Sequence, residues 1–443
     1  MKIFIKTLGC KVNSYESEAI EEDFVKHGYE VTLDDKEADV IVVNTCTVTN
    51  QADAKSRKII RQLRRDNDHA CLVVCGCSSQ HHKEEMKDLG MDILIGNYGK
   101  MEIYNLVQTW LSNHEQIVKF SDIRTARFEN MDIRKMEGKT RSFVKIQDGC
   151  NNFCSYCIIP FMRGNIRSKD INIAIDEINN LVEEGYQEIV LTGIHTGSYG
   201  DGEDYDLTDL IHEVSKNDKL KRIRISSIEI TELDDKFLNE FKTNHKICPH
   251  LHVPVQCPND KILKLMNRKY TLDEYKAKID VLRSLRDDVN ITTDLIVGFP
   301  GETDEDFDSI LEECKKIGFS KIHTFPYSKR DGTKAATMEQ VKDDVKKDRV
   351  DKMLRLSDIL ESNYYKGYIG KTIEVLVEKD CGLSANYIKV ELNEECKENT
   401  FVNVKITEVY GTNVKGIVIK WYNGIGDIEW NSMYLWKIKR IKK

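Results

Sequence analysis

Thirteen cysteines stand in this chain of 443 residues, and three of them, Cys150, Cys154 and Cys157, form a C-x3-C-x2-C triplet in the run GCNNFCSYC. Three thiolates on one tight loop can hold three irons of a cubane cluster while the fourth iron stays open to a ligand. An open iron implies chemistry. The competing reading is a zinc knuckle, but structural zinc takes four protein ligands, and no fourth cysteine or histidine stands close to Cys157. A second set emerges when cysteines are placed on expected strands. Cys10 follows KIFIKTLG, Cys46 follows ADVIVVNT, and Cys77 follows CLVVCG. Three parallel strands would thus each deliver one cysteine just past the C-terminal end. Adjacent parallel strands lie about 4.8 Å apart, so three such side chains can converge on a single cluster. Buried free cysteines are also common core residues, an account that suits one such coincidence better than three. Cys75 competes with Cys77, but it falls inside the strand and should point into the sheet packing.

The elements that must position these residues alternate along the chain. At a prior of roughly 150 residues per domain, this length implies two to four domains. Over about 1–112, short β-branched runs alternate with amphipathic stretches, which predicts a doubly wound parallel α/β sheet. Segment 113–140 is polar and weakly periodic and is expected to be a linker. Over about 141–365 six runs, SFVKIQ, EIVLTG, KRIRISS, HLHVPVQ, NITTDLIVG and KIHTFPY, alternate with helical stretches and predict a partial or complete α/β barrel. From about 366 to 443, strands follow one another without helices, as in a small antiparallel β-barrel. The 66 basic and 74 acidic residues leave a net charge of -8, and 40% hydrophobic with 32% charged residues excludes a disordered or fibrous chain. No apolar run approaches the roughly 20 residues of a membrane span. The first residues lack the sections of a signal peptide, so the expected location is cytoplasmic.

Several strand ends of the central region offer cofactor contacts, because ligand sites in α/β folds gather there. Gly193 ends one strand, Ser226, Ser227 and Glu229 follow the next, and Asp294, Gly298 and Glu302 follow a later one. Strand-to-helix turns favour the same residue types, so only their joint position argues for a site. For nucleic acid, KSRKIIRQLRR carries Lys55, Arg57, Lys58 and Arg61, with Arg64 and Arg65 beyond, close behind Cys46. Phosphate contacts need local positive charge, which an acidic total does not forbid. The basic end WKIKRIKK, with Trp421, Trp430 and Trp436, adds possible stacking surfaces. A solvated helix face and an ordinary core would explain these features equally well.

The segments TLGCKVNSYESE, NTCTVTNQADAKSR, GCNNFCSYCIIPFMRG, MNRKYT and DLIVGFPGET together resemble the methylthiotransferases, which are radical S-adenosylmethionine (SAM) enzymes. The resemblance runs through almost the whole chain and implies a C-terminal RNA-binding barrel of the TRAM type. It implies two 4Fe-4S clusters, one on Cys150, Cys154 and Cys157 that chelates and cleaves S-adenosylmethionine, and an auxiliary one on Cys10, Cys46 and Cys77. Tyr156 fits the family's aromatic between the last two cysteines. The motifs around Cys10 and Cys46 are similar to the branch acting on N6-threonylcarbamoyladenosine at position 37 of tRNA, next to the anticodon. A methylthio group is then expected at carbon 2. The sister activity on N6-isopentenyladenosine and a non-catalytic iron-sulfur RNA-binding protein are the alternatives. The implied partners are tRNA, S-adenosylmethionine and an electron donor such as flavodoxin or ferredoxin, for a chain expected to be monomeric. No catalytic side chain is singled out. The segment VPVQCPND departs from the family: Cys257 and Pro258 replace Ser-Gly, which leaves a contact from Gln256 in doubt because proline fixes φ and removes a donor. Cys257 as an extra ligand is the less favoured reading beside a structural substitution.

Overall fold

The computed structural model describes residues 1–136 and 138–419, so Trp421, Trp430, Trp436 and the basic end lie outside the described residues. The N-terminal sheet holds six parallel strands in the order β2-β1-β3-β4-β5-β6. They are β1 (Lys2–Thr7), β2 (Glu30–Val31), β3 (Val40–Thr45), β4 (Cys71–Gly76), β5 (Ile93–Ile95) and β6 (Ile117–Lys119). Every residue of β3 and β4 is buried, as expected where helices cover both faces of a parallel sheet. Helix α1 (Lys11–Lys26) buries Ile20 and Phe24 on the face that carries Val40, Val42, Cys71, Val73 and Cys75. Helix α2 (Asn50–Asp66) packs Ile60 and Leu63 on the opposite face, against Ile41, Val43, Leu72 and Val74. The doubly wound expectation holds. Strand order reverses between β1 and β3, and in such sheets ligands bind beyond the carboxyl ends of the strands at that switch point.

Segment 113–140, expected as a linker, contributes β6 to this sheet and buries Met131, Ile133 and Met136 in the large central core. The phenol of Tyr15 on α1 donates to the Met131 carbonyl and, at 2.7 Å, to Glu177. The central region forms an arc of six parallel strands: β7 (Arg141–Lys145), β10 (Glu188–Thr192), β11 (Arg222–Ile225), β12 (His250–His252), β13 (Asn290–Val297) and β14 (Lys321–Pro326). A short antiparallel pair, β8 (Gln147–Asp148) and β9 (Arg167–Ser168), frames the loop between them. The arc splits into two ladders of three strands, bridged by Ile223 and Ile247. All six expected strands are present.

The long helix Asp343–Lys366 leads to a closed barrel in the order β15-β16-β17-β19-β18. Its strands are β15 (Thr372–Glu378), β16 (Cys381–Ser384), β17 (Lys389–Leu392), β18 (Phe401–Tyr410) and β19 (Asn413–Val418). Four ladders are antiparallel and the β17–β19 pair is parallel. Val375, Ile388, Val390, Val404, Ile406 and Val414 fill its interior. The barrel is held to the arc by Arg222, which donates to the Leu383 carbonyl at 2.9 Å, and by Arg224, which donates to the Ala385 carbonyl at 3.0 Å. Among the described residues no helix is long and apolar enough to cross a membrane.

Candidate active site

The loop triplet follows β8. Gly149 opens it with φ +76°, and a Cβ there would stand 1.9 Å from the Asn165 carbonyl oxygen, so only glycine lets the two loop arms close. Cys150, Cys154 and Cys157 are half-buried, and the Cys157 amide donates to the Cys154 carbonyl at 2.9 Å. Their sulfurs already have donors. The Asn152 amide reaches Cys150 Sγ at 3.5 Å, and Arg268 Nη1 reaches Cys154 Sγ at 3.5 Å while Nη2 pairs with Glu229. His195 pairs with Glu232 at 2.7 Å. Burial alone would lower the His195 imidazole, but hydrogen bonds that the protonated ring donates to the Cys150 sulfur and to the Glu232 carboxylate outweigh it and push it up to about 10. Burial pushes the Cys157 thiol up to about 12, so cluster assembly must displace a proton there.

The second triplet sits at the carboxyl ends of β1, β3 and β4, beside the switch point of the N-terminal sheet. Cys10 precedes α1, Cys46 follows β3, and Cys77 opens α3 (Cys77–His81). The three chain segments are tied to each other. Asn13 Nδ2 donates to the Leu8 carbonyl at 2.7 Å and to the Thr45 carbonyl at 3.0 Å, which joins the Cys10 and Cys46 loops. A Cβ on Gly9 would stand 2.8 Å from Cys46 Cβ, so this glycine permits the approach. Cys46 is pushed up to about 11, first by burial and further by the neighbouring Cys77 and Cys10 thiols. Burial also raises Cys77, against a downward pull from Arg163 and Lys100. Cys75 points the other way, into the core with Cys71 and Val73. Cys77 instead packs on Ile158 and Met162, which directly follow the loop triplet.

A buried polar network links the two triplets. Arg163, at the end of the helix Ile159–Arg163, donates to Asn13 Oδ1 at 2.7 Å, Glu16 at 3.0 Å and Asp148 at 3.1 Å. Asn13 in turn accepts from the Cys10 thiol at 3.7 Å. Asn97 donates both to Cys77 Sγ at 3.3 Å and to the Met162 carbonyl at 3.2 Å. Burial alone would raise the Glu16 carboxyl, yet Arg163, Lys100 and Lys145 hold it far below the usual carboxylate range. Asn13, Asn97, Arg163, His195 and Arg268 are functional candidates that spacing alone did not single out.

Of the expected cofactor contacts, Gln256 and Asp294 line one cavity of about 230 Å³ together with Tyr156 and Cys157. Val48 and Thr49, which follow Cys46, line it too. Gln256 holds φ 62° and bridges to β13, its amide donating to the Asp294 carbonyl at 3.0 Å. Glu229 acts through Arg268, Ser226 lies 3.2 Å from Thr196 Oγ1, and Ser227 is half-buried beside it. Gly193 lies against Gln147, where a Cβ would come within 2.9 Å of Oε1. Gly298 stands apart from this cavity: its missing Cβ makes room for Lys346, and its amide donates to Glu302. Glu302 is buried and paired with Arg349 at 2.6 Å, which anchors the helix Asp343–Lys366. Cys257 is fully buried in the central core, where burial pushes its thiol far up, a position suited to packing. On α2, Lys55, Lys58 and Arg61 are exposed and Arg57 is half-buried, whereas Arg64 is tethered to Asp92 and the Gly90 carbonyl.

Among the described residues no three histidine, cysteine or acidic side chains are placed to share one metal ion. A cubane spreads its thiolates over different irons, and donors such as those at the Cys150, Cys154 and Cys77 sulfurs stabilise thiolate ligands, so the triplets fit such a group.

Residues 144–314 match the Radical SAM superfamily, and residues 2–96 match Uncharacterized protein family UPF0004. Together with the arc and its loop triplet, these matches define a radical S-adenosylmethionine enzyme with a second, N-terminal α/β unit. The chain is 41% identical over 399 residues to the threonylcarbamoyladenosine tRNA methylthiotransferase MtaB of Bacillus subtilis, covering 87% of this chain and 88% of that protein. It is 38% identical over 417 residues to the protein of the same name from Thermotoga maritima, covering 93% and 94%. Identity to the tRNA-2-methylthio-N(6)-dimethylallyladenosine synthase of Clostridium novyi is 35% over 438 residues, covering 94% and 96%. The chain belongs to the radical SAM methylthiotransferases. The higher identities fall on the threonylcarbamoyladenosine branch, in agreement with the motifs around Cys10 and Cys46. In fold, the chain is similar to the radical S-adenosylmethionine methyltransferase TsrM of Kitasatospora setae, with a TM-score of 0.55 at 14% identity over 76% of this chain and 77% of that one. The cofactors of the family, S-adenosylmethionine and 4Fe-4S clusters, are the groups for which the two triplets are chemically suited.

Proposed function

We propose that the chain adds a methylthio group to carbon 2 of N6-threonylcarbamoyladenosine at position 37 of tRNA, with Cys150, Cys154 and Cys157 holding the cluster that binds S-adenosylmethionine and Cys10, Cys46 and Cys77 holding the auxiliary one. The observation that carries this reading is one cavity lined both by Cys157 and by Val48 and Thr49 of the segment after Cys46. When bound, the two clusters and S-adenosylmethionine supply the radical chemistry and the sulfur that an unreactive aromatic C–H bond demands.

The chain's own residues bind and shield. Gln256 and Asp294 offer a backbone turn and a carboxylate to the polar part of S-adenosylmethionine, while Tyr156, Ile296 and Phe325 wall the cavity with apolar surface that excludes water. Ser226, Ser227, Gly193 and Glu229 follow neighbouring strand ends of the arc, Glu229 acting through Arg268, and Gly298 shapes the turn after β13, apart from this cavity. Arg268 and His195 set positive charge beside Cys154 and Cys150, which favours anionic sulfur, and Arg163 does the same for Cys10 and Cys77. Lys55, Arg57, Lys58 and Arg61 meet tRNA phosphates, and the C-terminal barrel serves as the TRAM-type RNA-binding module. A flavodoxin or ferredoxin delivers the electrons to a monomeric enzyme in the cytoplasm.

The test is nucleoside mass spectrometry of tRNA from a strain lacking the gene. Loss of the methylthio form of threonylcarbamoyladenosine alone is the expected result. Loss of the methylthio form of isopentenyladenosine instead would transfer the assignment to the sister activity. An unchanged nucleoside profile would leave a non-catalytic RNA-binding protein.

A further inference from the structure

Inside the arc lies a second cavity of about 650 Å³, a size typical of small-molecule sites. It shares Asp294 with the smaller cavity at Cys157, so the two spaces adjoin. The loop between β16 and β17 closes its far side, with the Tyr387 ring stacked on His250 at a centroid distance of 4.5 Å. Its walls are strongly charged. Arg141 is paired with Glu378 at 2.8 Å, Arg224 with Glu188 at 2.7 Å and Lys321 with Glu361 at 3.0 Å. Lys11, the first residue of α1, lines the same space, and its ammonium makes no ion pair or side-chain hydrogen bond among the described residues. Lys389 adds a second such ammonium. His250 is buried to 6% exposure; its Nε2 is 3.0 Å from Thr292 Oγ1, while its Nδ1 finds no partner. An ammonium without a carboxylate and a buried ring nitrogen without a partner both leave hydrogen-bonding capacity unused, and a ligand with an anionic group and a hydroxyl would satisfy both.

We propose that this cavity receives the N6 substituent of the target adenosine and that Lys11 selects a substituent bearing a carboxylate. The assignment rests on the substrate reading above. A threonylcarbamoyl group carries a carboxylate and a hydroxyl, matching Lys11 and His250 Nδ1; an isopentenyl group carries neither and would leave both of these groups without a partner. Only N1 separates carbon 6 from carbon 2 in the purine ring, so anchoring the N6 substituent also fixes the reacting carbon. Lys11 directly follows Cys10, which places the selecting charge beside the auxiliary triplet.

The experiment uses reconstituted enzyme and three anticodon stem-loops carrying threonylcarbamoyladenosine, the same nucleoside with its carboxylate converted to the amide, or unmodified adenosine. Dissociation constants by fluorescence anisotropy and KM are measured for the native enzyme, Lys11→Gln and Lys11→Arg, with iron content checked in each because Lys11 adjoins Cys10. The native enzyme should prefer the carboxylate over the amide by about 10- to 100-fold, the range for a hydrogen bond to a charged group. Lys11→Gln should erase that preference without weakening binding of the unmodified stem-loop, and Lys11→Arg should keep most of it. Equal affinity of the native enzyme for carboxylate and amide, a comparison that needs no variant, would overturn the proposal. So would equal weakening of all three stem-loops by Lys11→Gln at native iron content. A native enzyme that forms no methylthio product from the threonylcarbamoyl stem-loop overturns the substrate reading and this assignment with it, whereas normal turnover with an unaffected Lys11→Gln variant overturns the Lys11 assignment alone.

Discussion

The two cysteine triplets are built in opposite ways. Cys150, Cys154 and Cys157 share one loop whose shape is set locally by Gly149, by Phe153 at φ 46° and by the turn from Cys154 to Cys157. Cys10, Cys46 and Cys77 come from three strand ends, and their approach depends on the register of β1 with β3 and of β3 with β4, Thr7 opposite Asn44 and Thr45 opposite Gly76. A one-residue slip in a strand turns its side chains to the other face. The loop triplet is therefore robust to changes in the sheet, while the distributed one inherits every defect of the sheet. The difference also matches the division of labour proposed for them, since cleavage of S-adenosylmethionine needs only the loop and the arc, whereas sulfur transfer needs both units docked through Arg163.

Changes to the loop should have the largest effect. Replacing Cys150, Cys154 and Cys157 together with Ala should abolish both 5′-deoxyadenosine formation and the methylthio product; surviving deoxyadenosine under reductant would break the assignment. Replacing Cys10, Cys46 and Cys77 together with Ala should abolish only the methylthio product and retain deoxyadenosine formation, so parallel loss of both would show that the triplets are not separable. Gly76→Ala sharpens the contrast without touching a ligand. Gly76 has φ +103°, and a Cβ there would stand 2.5 Å from the Thr45 carbonyl oxygen. The strained backbone should lower stability by about 1–3 kcal/mol, read as a fall in Tm, and deplete iron from the distributed site before the loop site. The smallest effect belongs to α2. Replacing Lys55, Lys58 and Arg61 with Ala should weaken tRNA binding and flatten the slope of log affinity against log salt by about 2, at unchanged deoxyadenosine formation. An unaltered slope would mean that α2 faces solvent.

How far each region could be read in advance follows the same division. The loop triplet is visible as spacing, and the six arc strands are visible because short runs rich in apolar residues alternate with helical stretches. The distributed triplet becomes visible only through strand ends, and the choice of Cys77 over Cys75 followed from Cys75 lying inside the run CLVVCG and Cys77 just past its end. Segment 113–140 hid its packing because Met131, Ile133 and Met136 are isolated apolar residues among charges, too few for a periodic signal. Strand β16, CGLS, carries no strand signal in its sequence because it lacks β-branched residues, and it takes its place only by pairing with β15. Arg163 gave no signal, since its partner Glu16 lies 147 positions away and ion pairing between distant residues leaves no periodic trace. Arg64 looked like its basic neighbours on α2, and only the tertiary contact with Asp92 sets it apart.

The central claim, two separate clusters on two triplets, is tested most directly by counting iron and acid-labile sulfide in anaerobically reconstituted protein. The native chain should hold about eight irons, and either triple-alanine protein about four. A native-level count after removal of Cys10, Cys46 and Cys77 would contradict the account.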